Sequence, residues 1–256
     1  MSTRLNTDPR ISRRRRAVAR ARRRRALAWA AGCGVVGAFI WLAFFSPLLR
    51  VRELELVGAR RTSVAQAWAV SGLSRDDNLL RVDTGAVERA LERLPWVRSV
   101  VVDRILPGTV RAEVSERRPV LVVRSGRSSW TLDRTGAVLA QGMAEPGLPV
   151  VEAAVPRLEP GGRAAQAEVR AALAVLAALT DRVRARVVVI EARSAEELVL
   201  RLDDGLEVRV GAAEQLPAKR EVLDALLTRL RAEGLQPAYV DVSVPTRPAI
   251  GPPARP

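Results

Sequence analysis

Few residues in this chain are equipped for bond-making chemistry. Its 256 residues include one cysteine, one lysine and no histidine, which removes Ser-His-Asp and Cys-His catalysis, histidine-containing zinc sites and any imidazole pH switch. Lys219 is the one residue that could activate a serine in a Ser-Lys pair, a chemistry that needs no histidine. It stands between the helix-stripe residues Leu216 and Leu223 and reads as a solvated lysine on the polar side. Asp133, Asp203 and Asp204 could hold a cation if the fold gathered them. Each sits in a turn-like stretch, however, where acids cap backbone amides and stay in water. Gly161-Gly162 lies in a Pro-flanked linker without the Lys-Ser/Thr of a phosphate loop. Cys33 has no partner for a disulfide, and the apolar residues after it do not suit a lipoprotein processing box, which follows its apolar stretch. The sequence therefore predicts a non-enzyme with no cofactor and no metal site.

Charge and hydropathy are more informative. Against 42 Lys+Arg stand 28 Asp+Glu, a formal charge of +14, of which residues 1–25 carry +10 through eleven arginines and the lone acid Asp8. Such an arm repels itself and has no apolar periodicity, which predicts a disordered segment that meets a polyanion. It lacks the aromatic platforms of single-strand binders, which argues against nucleic acid and for an anionic membrane surface. From Ala26 to Phe45 the chain has no charged residue, and the uncharged run extends to Leu49. At about 1.5 Å per residue, twenty helical residues span roughly 30 Å, the hydrocarbon core. Trp29 and Trp41 suit the two interfaces, and the arginines place the N-terminus in the cytoplasm. The bulky end of the run, with Phe39, Phe44 and Phe45, predicts an uncleaved anchor at 26–49 rather than a signal peptide.

Residues 50–118 predict a β-α-α-β-β unit. Val51, Leu54, Leu56 and Val57 make a strand that ends at Gly58. Thr62 or Ser63 caps a helix with Val64, Ala67, Trp68 and Ser71 on one face and Gly72 past its end. Asp83 caps a second, with Val87, Ala90, Leu91 and Leu94 in one stripe and Pro95 as its stop. Two strands come next, 97–103 and 109–115, joined by a turn at Leu106-Pro107-Gly108. This order resembles a POTRA domain. The stretches VRELELVGARRTS, NLLRVD and LPWVRSVVVDRILPGTVRAEVSERRPV further resemble the FtsQ/DivIB family of bacterial cell-division proteins, with Leu94-Pro95-Trp96-Val97, the Pro107 turn and Glu116-Arg117-Arg118-Pro119 in matching order.

Residues 119–244 are dominated by strand signals at 120–124, 129–133, 137–140, 187–191, 198–202 and 206–211, with Asp203-Asp204-Gly205 as a tight hairpin turn. Two helices interrupt, one marked by Val169, Leu173, Leu176 and Leu179, the other by Leu216, Leu223, Leu226, Leu227 and Leu230, with Gly234 past its end. Residues 140–165 read as loop. A last strand spans 238–244, and Pro245, Pro248, Pro252, Pro253 and Pro256 predict a flexible tail at 245–256. Leu132 to Gly136, Leu148-Pro149, the Gly205 hairpin, Gly211 with Leu216 and Lys219, and Tyr239-Val240-Asp241 continue the resemblance. The expected fold class is α+β: one membrane helix, a POTRA domain and a β-rich domain with two helices.

If 238–244 lies at a sheet edge, its free N–H and C=O groups can recruit a partner strand. The residues of that predicted site are Tyr239, Val240, Asp241, Val242, Ser243 and Val244. The resemblance implies that this region holds the FtsB/FtsL (DivIC-like) membrane proteins, that POTRA and the membrane segment meet other division proteins, and that the chain is a bitopic scaffold at the septum. Two other classes share parts of the pattern. A POTRA-bearing transport component would carry tandem units or a β-barrel, for which few residues remain. A membrane-tethered polyanion binder would work through the arm alone.

Overall fold

The computed structural model describes residues 29–38, 41, 47–143 and 145–253. Of the expected anchor at 26–49, residues 29–38 and 41 are helical and Pro47–Leu49 forms a 3-10 turn. The rest of that stretch and the arm at 1–25 lie outside the described residues. Among the described residues no helix is long and apolar enough to cross a membrane.

The N-terminal module has the expected order: β1 (Glu53–Val57), α1 (Val64–Ser71), α2 (Thr84–Leu91), β2 (Val97–Ile105) and β3 (Thr109–Glu116). Ser63 closes the start of α1 with a capping box: its Oγ accepts from Gln66 N at 3.2 Å, and Gln66 Oε1 accepts from Ser63 N at 3.1 Å. Gly72 ends the helix in the left-handed conformation. Asp83 Oδ1 accepts from Ala86 N and caps α2. The strands run β1-β3-β2, with β1 parallel and β2 antiparallel to β3. Alternation puts Val110, Ala112 and Val114 of β3 on the buried face, where Ala67, Val87 and Leu91 cover them. Each fully buried Val or Leu there contributes about 1.5–3 kcal/mol. The outer edge of β2 is blunted by α2, since Val102 N donates to Glu88 Oε1 at 2.9 Å.

The second module is built on a nine-stranded sheet of order β12-β11-β10-β9-β8-β7-β4-β5-β6. Its strands are β4 (Pro119–Ser125), β5 (Ser128–Asp133), β6 (Val138–Gln141), β7 (Val150–Glu152), β8 (Val187–Ala192), β9 (Leu198–Leu202), β10 (Glu207–Gly211), β11 (Tyr239–Asp241) and β12 (Ala249–Ile250). Helices α3 (Ala167–Ala178), α4 (Asp181–Arg184) and α5 (Leu216–Glu233) complete it. Val169, Ala172 and Leu176 of α3 and Leu223 and Leu230 of α5 share one core with the sheet. Arg184 tethers the end of α3, donating to Leu176 O at 2.8 Å and Leu179 O at 2.7 Å.

Three expectations are corrected. The stretch 140–165 is not all loop, because β7 lies inside the sheet, parallel to both β4 and β8. Three residues without alternation leave no periodic signal, yet a strand with neighbours on both sides needs none. The expected last strand is shorter, with only Tyr239–Asp241 in the ladder. The tail is not free throughout: β12 pairs antiparallel with β11 through Val240↔Ile250 and Asp241↔Ala249.

Candidate partner-binding edge

The predicted site occupies the penultimate strand of the sheet rather than its edge. Val240 and Val242 are 0% and 1% exposed, and β11 has β10 on one side and β12 on the other. Their side chains are core, which the alternation of apolar residues 240 and 242 already encodes. Tyr239, Asp241 and Ser243 are half-buried and Val244 is exposed. Asp241 Oδ1 accepts from Ser243 N at 2.8 Å and Ser243 Oγ at 2.6 Å, which fixes the chain as it leaves the strand. The Arg209 guanidinium stacks on the Tyr239 ring, 3.8 Å from its centroid.

β12 is seated through backbone and shape. Gly251 N donates to Tyr239 O at 2.9 Å, and Ala238 N donates to Pro252 O at 2.8 Å. A Cβ on Gly251 would lie 2.5 Å from the Tyr239 ring, so only glycine allows this approach. With Ala249 and Gly251 turned toward β11, residues 248 and 250 share the outward register. Pro248 has no N–H, so Ile250, 43% exposed, is the one outward N–H donor of the two. The opposite end of the sheet is closed differently. Residues 161–164 lie along the first residue of β6 and the turn before it, with Gly161 N donating to Val138 O, Val138 N to Gly162 O and Ala164 N to Gly136 O. Gly161-Gly162 is thus a strand cover rather than a phosphate loop.

Lys219 corrects the sequence reading. It is 5% exposed, and its Nζ donates to Val210 O at 2.9 Å and Ala212 O at 2.7 Å. Its position at i+3 from Leu216 and i−4 from Leu223 is the apolar stripe itself, a signal present in the sequence. Burial lowers its pKa; nearby Glu214 and Asp241 act in the opposite direction without reversing the shift. The lysine therefore satisfies carbonyls at the end of β10, the strand against which β11 is laid.

The three aspartates do not meet as a cation site, and no group of three or more potential metal ligands occurs among the described residues. Asp203 and Asp204 both pair with Arg186. Asp133 is buried rather than solvated, and it joins the modules. Its Oδ1 accepts from Thr135 N, Thr135 Oγ1 and Ala137 N at 2.7 to 2.9 Å, and its Oδ2 accepts from Arg117 Nη1 at 2.8 Å. Arg117 Nε also donates to Val97 O at 3.0 Å. Burial opposes the Asp133 charge, but the Thr135 hydroxyl, Arg117 and two backbone amides outweigh it and hold its pKa below the ordinary carboxylate value. Glu116 behaves alike: burial raises its pKa, while the backbone amides of Arg61, Thr62 and Arg60 lower it by more, to a net decrease.

A β-α-α-β-β module of POTRA type is followed by a sheet-rich module whose last strand has no neighbour on its outer side among the described residues, and sequence comparison gives the family. The description "POTRA domain, FtsQ-type" matches residues 49–117, and "Cell division protein FtsQ/DivIB, C-terminal" matches residues 121–243. Cell division protein FtsQ of Corynebacterium glutamicum is 30% identical over 73% of this chain and 83% of its own. The Streptomyces bingchenggensis protein of the same name is 31% identical over 90% of this chain and 86% of its own. The extracytoplasmic domain of the division protein DivIB from Geobacillus stearothermophilus is structurally similar over 46% of this chain and 97% of that one, at a TM-score of 0.33 and 19% identity. The chain belongs to the FtsQ/DivIB family of cell-division proteins.

Proposed function

We propose that this chain is a non-enzymatic scaffold of the bacterial division machinery, anchored in the cytoplasmic membrane through 26–49, with its N-terminal arm in the cytoplasm and both modules outside. In this reading the C-terminal end of the sheet binds a strand from FtsB/FtsL-like (DivIC-like) membrane partners, while the POTRA module and the membrane segment meet other division proteins. The observation that carries the reading is the asymmetry of the nine-stranded sheet. The start of β6 is covered by residues 161–164, whereas β12 has no neighbour on its outer side among the described residues. A partner strand adds to β12, and residues Tyr239 to Val244 act as the platform that seats it. The outward N–H and C=O of Ile250 supply the backbone contacts, and Pro248, which has no N–H to offer, keeps the ladder short and discourages indiscriminate pairing. Confinement of both partners to one membrane raises their effective concentration, so a short ladder suffices.

Removal of residues 246–256 tests this. A cut at 236 would take the buried Val240 and Val242 with it, whereas a cut at 246 spares both and removes β12 together with its flanking tail residues. Purified full-length chain should capture the FtsB/FtsL-like proteins of the same cell in mixed micelles, and the truncated chain should not. Undiminished capture by a folded truncation would move the interface elsewhere.

A further inference from the structure

We propose that the cleft between the two modules binds an extended acidic peptide segment of a partner protein. This site is separate from the β12 edge and does not depend on that reading. The cleft encloses about 800 Å3, within the range of ligand-binding cavities. Six arginines line it: Arg60, Arg61, Arg98, Arg117, Arg118 and Arg134. Arg117 is engaged by Asp133, and Arg61 by Glu145 at 2.7 Å and by the Trp96 ring. The acids of the cleft are committed as well, with Glu116 Oε1 accepting from Arg61 N and Thr62 N at 2.9 Å.

Among the described residues, the guanidinium groups of Arg60, Arg98, Arg118 and Arg134 have no hydrogen bond or ion pair. Two come from the POTRA side and two from the junction and the β5–β6 turn, so an occupant is held by both modules. With six arginines against Glu116, Asp133 and Glu145, the lining carries a net excess of three positive charges, a potential that an anion relieves. Guanidinium forks match carboxylates in geometry. Two features favour a peptide over a lone oxyanion. The charges arise on separate segments around the rim, and Trp96, Val114, Pro119 and Val120 add apolar wall between them. An extended segment with spaced carboxylates and apolar side chains uses both, whereas an oxyanion leaves the apolar wall wet.

The test uses the full chain in detergent, with Cys33→Ser and an environment-sensitive dye on Ser115→Cys at the cleft wall. It is titrated with a synthetic peptide of alternating Glu and Val at physiological salt. A saturable signal is expected, with Kd weakened about tenfold by the pair Arg98→Gln and Arg134→Gln. Both side chains are exposed and unpaired, so the melting temperature should hold, and Arg98→Lys with Arg134→Lys should restore part of the binding. Gln substitution of Arg13 to Arg16 in the arm should leave the dye signal unchanged. No saturable signal, equal binding by the Gln pair, or a tighter response to inorganic pyrophosphate than to the peptide would each overturn the proposal.

Discussion

Replacing Asp133 by Asn tests how the two modules are joined. The carboxylate is 4% exposed and accepts four hydrogen bonds, one of them from Arg117, whose side chain is 21% exposed. Asn keeps the shape but loses the charge and turns one acceptor into a donor, which then faces either a guanidinium or backbone N–H groups. Breaking a buried pair on one side costs about 3–5 kcal/mol, and the partial exposure of Arg117 places this case near 3 kcal/mol. For a chain of this size that lowers Tm by about 6–12 °C. The pH dependence has a definite sign. Asp133 is held below its ordinary pKa, so its contribution is complete above about pH 4, the ordinary Asp range, and is lost as pH falls through the lower folded-state value. Thermal unfolding of the full chain, followed by circular dichroism, should show a gap between wild type and variant that is widest near neutrality and narrows in acid. A shift below about 2 °C at neutral pH, or a gap that stays constant into acid, would refute the reasoning.

Two further outcomes bear on the sheet end. Lys219→Met keeps the stem but strands the carbonyls of Val210 and Ala212, and a urea midpoint should report a loss of about 2 kcal/mol. Gly251→Val puts a side chain into the Tyr239 ring. It should speed hydrogen exchange at Ala238 and Gly251 and weaken capture of the partner, while the POTRA module keeps its protection.

The POTRA module was legible because its signals are local. Ser63 and Asp83 cap helices, Gly72 ends one, and alternation in β3 names the buried face. The order of strands and helices in the second module came from similar patterns, except where pairing alone makes the element. β7 is three residues in mid-sheet, and β12 is two residues between prolines. Both are strands only because a neighbour lies beside them, so no window of sequence contains the cause. The β12 pairing moved the open edge from 238–244 to the segment beyond. Lys219 and Asp133 failed for another reason. Charged residues default to solvent, and only the fold reveals the carbonyls and amides that make burial tolerable. Tyr239 was in the predicted set, but its pairing with Gly251 and Arg209 spans segments far apart in sequence.

Ile250→Pro isolates β12, proposed above as the strand to which division partners add. The substitution removes the outward N–H without deleting a bond to β11, because Gly251 and Pro252 make those contacts. Full-length wild type and variant would be compared for capture of FtsB/FtsL-like partners and for placement at the division site, with melting temperature as the folding control. A folded variant that reaches midcell but loses its partners is expected. A folded variant that captures them as well as wild type would contradict the proposal.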